Sequence, residues 1–205
     1  MANYILFSRL ANCFDVVGRV CEKFPGLNFE NIRKVLIADS RIGDWGFYDS
    51  LFAGGSCFIK DARSLAHQLK VKGVEAVLVD EVLAANQRQL DNFMARAKAE
   101  LNFNWAGKTV GILGLAFKQD TNDIRNSAAL GVAEFLFKHE VGEIKAYDPV
   151  VGANFLKYFA ARENGKKINL VNSETDAITG VDVLIMATDW PQFRGLDNLI
   201  MENLP

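Results

Sequence analysis

The stretch Thr109-Val110-Gly111-Ile112-Leu113-Gly114-Leu115 divides the chain. It is a short apolar run closing on glycine, the form of a buried strand that feeds a tight turn. Downstream the theme repeats. Ser127 to Lys138 has helical spacing, Glu143 to Tyr147 is a second strand ended by Asp148-Pro149, and Asn154 to Glu163 is a helix. Asn169 to Val171 is a brief strand and Thr175 to Thr179 a short helix. Val181 to Ala187 is a third strong strand, ended by Thr188-Asp189-Trp190-Pro191. Strands alternating with helices predict a parallel, doubly wound sheet, hence a Rossmann-like domain over 105–205. Ligands of such sheets gather at the carboxyl ends of the strands. Gly111 and Gly114 form only a Gly-x-x-Gly, and the full Gly-x-Gly-x-x-Gly fingerprint is absent, so the glycines alone specify no dinucleotide site.

Upstream, residues 1–104 read as helical apart from one loop. From Asn3 to about Phe24 the apolar residues Ile5, Leu6, Leu10, Cys13, Phe14, Val16, Val17, Val20 and Cys21 form a wide helical stripe, stopped by Pro25-Gly26. Asn28 caps a second helix through Leu36. A long helix from Val79 to Leu101 carries Val82, Leu83, Leu90, Phe93, Met94 and Ala97 at helical spacing, with no proline or glycine. Between these helices, Trp45, Phe47, Tyr48 and Phe52 crowd a loop. They are either core or a wall against a sugar or a neighbouring subunit. The fold expected is therefore α + α/β.

That aromatic loop leads into Gly54-Gly55-Ser56-Cys57-Phe58-Ile59-Lys60-Asp61. The glycines let backbone approach a ligand and adopt dihedrals closed to other residues. Ala62 to Val71 is helical, which puts Cys57 in the turn entering a helix, where N–H groups and the macrodipole favour a thiolate. Lys60 adds positive charge, and Asp61 lies four residues on, within reach for proton exchange. A lone cysteine at such a place is also commonly a small buried hydrophobe.

Composition excludes several classes. Of 205 residues, 50% are hydrophobic and 23% charged, with a formal net charge of −2, so no basic nucleic-acid face is expected. No apolar run approaches the roughly 20 residues that span a bilayer, and no signal peptide is legible. Three cysteines suit a reducing cytoplasm better than a disulfide framework. His67 and His139 sit on predicted helices as surface or half-buried residues, and no metal-ligand spacing occurs.

The segment 54–61 resembles the catalytic-cysteine motif Gly-Gly-Ser-Cys-Phe-x-Lys-Asp of the UDP-glucose and GDP-mannose 6-dehydrogenases. Two further anchors extend the likeness along nearly the whole chain. Arg41-Ile42-Gly43 precedes the cysteine motif at family-like spacing. Gly114-Leu115-Ala116-Phe117-Lys118, with Thr121, Asp123, Ile124 and Arg125, is followed by Tyr147-Asp148-Pro149 and Ala187-Thr188-Asp189-Trp190. Asn3 looks like the family asparagine that follows a catalytic lysine by four residues; that lysine would precede Met1. Departures exist. Ile59 stands where proline is common, and Phe52-Ala53 stands where the family has a glycine and an aromatic.

The resemblance implies oxidation of a sugar C6 alcohol to a carboxylate with two NAD molecules reduced. Cys57 would add to the intermediate aldehyde, giving a thiohemiacetal that is oxidised to a thioester and hydrolysed. A thiol adduct recreates an alcohol-like carbon that can be oxidised again. Asn3 would orient water and stabilise oxyanions, and Asp61 would assist proton transfer. Arg41 would reach a partner's sugar nucleotide, Gly54 and Lys60 would line the substrate site, and Phe117 and Lys118 would contact the sugar nucleotide. Arg125 would approach NAD. Residue by residue, Lys118 also reads as a solvated loop charge and Arg125 as a helix-start charge paired with Asp123. The match further implies a homodimer through the helical region and a UDP-sugar substrate. It also implies a chain that holds the central and carboxy-terminal parts of a larger enzyme without its NAD-binding domain. A GDP-mannose dehydrogenase and a non-catalytic dimerisation or sugar-nucleotide-binding module are the competing expectations.

Overall fold

A computed structural model describes residues 1–48 and 50–204, with the side chains of Ala97 and Leu101 outside the description. Ala97, counted in the stripe of the long helix, is therefore not placed. Two compact units result, Met1–Asn92 and Phe93–Pro205.

The first unit is helical. Helix α1 (Ala2–Asn12) passes through a π-helical turn (Cys13–Gly18) into α2 (Arg19–Lys23). Its buried residues are Tyr4, Phe7, Leu10, Ala11, Cys13 and Phe14, so the core stripe is shifted from the expected one; Ile5, Val16 and Val20 are exposed. Helix α3 (Phe29–Ile37) begins where expected, the Asn28 side chain accepting from the Asn31 N–H. Helix α4 (Cys57–Val71) starts five residues before Ala62, because Phe58 and Ile59 find apolar partners and join its first turn. It packs on α1. Ala62 and Ala66 face the contact with almost no exposure, small side chains that admit close approach. Helix α5 is Val77–Leu101.

The second unit is built on a parallel sheet of order β3-β2-β1-β4, with β1 Thr109–Leu113, β2 Glu143–Tyr147, β3 Ile168–Leu170 and β4 Val183–Met186. Strand β1 is central, and Val110, Ile112 and Leu113 are fully buried. Helices α6 (Ala128–Lys138), α7 (Gly152–Phe159) and α8 (Glu174–Ile178) follow the first three strands, and α9 (Asp197–Asn203) follows β4. Helix α7 ends four residues before Glu163: Gly165 lies against the Phe159 carbonyl with no room for a Cβ, and a short 3-10 turn continues the chain. Gly111 is needed for packing, since a Cβ there would collide with the Ala177 carbonyl of α8.

The strand order sets the functional geometry. The chain winds from β1 outward through β2 to β3, then returns to the other side of β1 for β4. The switch point lies between the carboxyl ends of β1 and β4, where open parallel sheets form their ligand crevice.

Candidate functional site

In the helical unit, Cys57 is the first residue of α4. Gly55 precedes it with φ +86°, a left-handed turn that only glycine takes without strain. The residues after the cysteine anchor the turn. Phe58 stacks on Phe7 at 5.9 Å and meets Trp45 edge-on at 6.5 Å, while Ile59 is buried. Cys57 itself remains exposed, its sulfur 3.9 Å from the Ser56 hydroxyl; the small buried hydrophobe of this chain is Cys13.

Asp61 lies one helical turn beyond Cys57, on the same side of α4. Asn3 Nδ2 donates to Asp61 Oδ2 at 2.6 Å, and Lys60 Nζ lies 3.3 Å from Asp61 Oδ1. The Asn3 hydrogen bond first, and Lys60 second, hold the Asp61 carboxyl below the usual carboxylate range. The structure thus brings Asn3 and Lys60 together on Asp61, one helical turn along α4 from Cys57. Arg41 is placed elsewhere: its guanidinium is bidentate on Asp39 in an exposed turn, and among the described residues no hydrogen bond or ion pair joins it to Cys57, Lys60 or Asp61.

The loop ahead of the cysteine is braced by a residue that periodicity does not flag. Asn86 of α5, 2% exposed, accepts from the Ala53 N–H at 2.8 Å and donates to the Ala53 carbonyl at 3.1 Å. Gln89 donates to the Ser50 carbonyl at 2.8 Å. Of the loop aromatics, Trp45, Phe47 and Phe52 pack against the core, whereas Tyr48 is exposed.

In the sheet unit, the turn after β1 occupies the switch point. Gly114 has φ +83°, and a Cβ there would come within 2.6 Å of the Thr188 Cβ. Asp148, at the end of β2 and 7% exposed, accepts five N–H bonds. Its Oδ2 takes Leu115 N, Ala116 N and Trp190 Nε1, and its Oδ1 takes Val150 N and Val151 N, at 2.7–3.1 Å. The buried Thr188 hydroxyl donates to the Ala116 carbonyl. Beyond this clamp, Phe117 is half-buried and Lys118 exposed, with the ammonium 5.5 Å over the Phe117 ring. Arg125 is bidentate on Asp123, whose carboxyl it holds below the ordinary range. The paired-charge reading of Arg125 is thus the geometry observed.

A dinucleotide cradle needs a glycine turn running straight into a helix amino terminus. Here α6 starts only at Ala128, fourteen positions after Gly114, and Gly114 serves contact with Thr188. The described residues therefore do not fit the pyrophosphate of NAD at β1.

A thiol-bearing helical unit followed by a doubly wound parallel unit, with an ordered turn at its switch point, defines a two-unit α + α/β protein. Residues 1–88 match the central domain of the UDP-glucose/GDP-mannose dehydrogenase family, and residues 111–204 match that family's UDP binding domain. The chain belongs to this family. It is 32% identical over 96% of its length to the UDP-glucose 6-dehydrogenase of Pseudomonas aeruginosa, covering 43% of that protein. It is 28% identical over 99% of its length to the UDP-glucose 6-dehydrogenase TuaD of Bacillus subtilis, covering 42% of it. The solved UDP-glucose dehydrogenase of Pyrobaculum islandicum superposes with a TM-score of 0.83 at 26% identity, over 95% of this chain and 43% of that one. The chain thus spans less than half the length of these relatives. Among the described residues, no helix is long and apolar enough to cross a membrane.

Proposed function

We propose that this chain supplies the thiol and the nucleotide-binding turn of an NAD-dependent nucleotide-sugar 6-dehydrogenase that converts UDP-glucose to UDP-glucuronate. The observation that carries the reading is the exposed Cys57 at the start of α4, with the Asn3–Asp61 pair one turn away. In this reading residues 1–104 form the cysteine domain and 105–205 the sugar-nucleotide domain. The Cys57 sulfur adds to the C6 aldehyde, forming a C–S bond while the carbonyl oxygen takes a proton. Asn3 steadies the developing oxyanion, and Asp61 relays the proton. Phe117 and Lys118 hold the nucleotide half, Lys60 and the Gly54 backbone the sugar half, and Arg41 reaches the sugar nucleotide of a partner subunit. Each oxidation needs a hydride acceptor, which the family reading makes NAD; Arg125 is the residue of this chain offered to it.

Exposed Val16 in the π-helical turn, Val20 in α2, Phe24 and Leu27 in the link to α3, and Val35 in α3 support a homodimer through the helical unit, read by sedimentation. Three free thiols support a reducing cytoplasmic setting.

The test is incubation of the 205-residue chain with the UDP-sugar C6 aldehyde. A mass adduct on Cys57, lost in Cys57→Ser, is expected; absence of the adduct in folded protein refutes the thiol's role. The chain with UDP-glucose and NAD alone is expected to yield little or no NADH, and robust absorbance at the NADH band would refute that part.

A further inference from the structure

We propose that Asp148 is a positioning residue for the turn Gly114–Lys118, locking it in the shape that presents Phe117 and Lys118 to the nucleotide. This rests on the reading above that those two side chains meet the sugar nucleotide.

The argument begins with hydrogen-bonding chemistry. All five groups on Asp148 are N–H donors, distributed three to Oδ2 and two to Oδ1. Only a group that accepts at both ends suits this environment. An asparagine would turn its NH2 toward one set, leaving buried donor facing donor. Trp190, the source of the third bond to Oδ2, is 5% exposed. The carboxylate therefore ties three strand ends together: its own at β2, the turn after β1 through Leu115 and Ala116, and the segment after β4 through Trp190.

The same turn is held from the opposite side by Thr188, which donates to the Ala116 carbonyl and closes on the Gly114 backbone. Further on, Phe117 N–H donates to the Asp123 carbonyl at 2.9 Å, and the Thr121 hydroxyl donates to the Lys118 carbonyl at 2.9 Å. Residues 114–116 are thus fixed by groups outside the turn, and the two candidate ligand-contacting side chains project from a rigid base. Ordering that base during folding removes the entropy loss that ligand binding would otherwise carry.

Calorimetric titration with uridine diphosphate tests this on the 205-residue chain. Asp148→Asn is expected to weaken UDP binding about tenfold, with faster amide exchange in segment 114–118 than in β3. Should Asp148→Asn not fold, Thr188→Val loosens the same turn by one bond at constant shape and is expected to weaken UDP several-fold. A folded variant that binds UDP as tightly as the parent overturns the positioning role, whatever its melting temperature. A parent chain that fails to bind UDP overturns the nucleotide-site reading itself, and this inference with it.

Discussion

Asn3 Nδ2 donates to Asp61 Oδ2 at 2.6 Å, joining the first turn of α1 to the first turns of α4 across 58 positions of sequence. The bond also sets the protonation of the carboxyl beside the thiol. Because folding lowers the Asp61 pKa, the pair stabilises the protein above the unfolded carboxyl value, about 3.9. That stabilisation is lost as pH falls through the folded value. In Asn3→Ala, the Asp61 titration followed by carboxyl-carbon NMR should move up toward the ordinary range. An unmoved titration would assign the depression to Lys60 and the amino-terminal charge instead.

The three cysteines differ in access: Cys57 exposed, Cys21 intermediate, Cys13 buried. Iodoacetamide labelling read by peptide mass spectrometry should therefore modify Cys57 first, at least about tenfold faster than Cys13, whose reaction waits on local opening. Alkylation of Cys57 no faster than of Cys13 or Cys21 would remove the basis for an activated nucleophile.

Asn86 gives both of its amide groups to the Ala53 backbone in a buried setting. Asn86→Ala strands that N–H and carbonyl, and urea denaturation should show a loss of about 2 kcal/mol. Asn86→Asp restores one bond and opposes the other, so it should not recover the parent stability.

Gly111 sits under the Ala177 carbonyl with no space for a methyl group. Gly111→Ala should cost about 1–3 kcal/mol by forcing α8 away from β1. The same change at Gly26 meets open space, but its φ of +83° makes that substitution costly for a different reason, backbone strain. A Gly111→Ala chain with parent stability would mean that α8 moves freely on the sheet.

Period-2 and period-3.6 patterns made the alternation of strands and helices legible after Trp105. The second strand was legible to the residue, Glu143 to Tyr147, because a glycine and an Asp-Pro bound it. Other boundaries depended on contacts distant in sequence. Phe58 looks like a loop residue until Phe7 and Trp45 are placed beside it. The 3-10 turns and α9 carry short patterns with no period to detect. At the candidate sites, the cysteine motif was legible from its wording, whereas Asn86 looks like a solvated helix residue and Asp148 like an ordinary turn aspartate before proline. Their partners lie 33 positions away in each case, on Ala53 and Leu115, and no local pattern encodes that pairing. Arg41 and Arg125 each close on an aspartate two positions earlier, a local pairing that spacing alone allowed for Arg125.

The π-helical turn at Cys13–Gly18 has an effect on how the first helix is to be counted. Widening one turn takes up roughly one residue more than a regular helix would use, and that residue turns the rest of the rod by about 100°. Wheel diagrams drawn straight through from Ala2 to Lys23 therefore misplace the residues of α2 by about that angle. Deleting a single residue within the widened turn would let it close to a regular α turn, with α2 keeping the face it presents and the Asn3 end untouched.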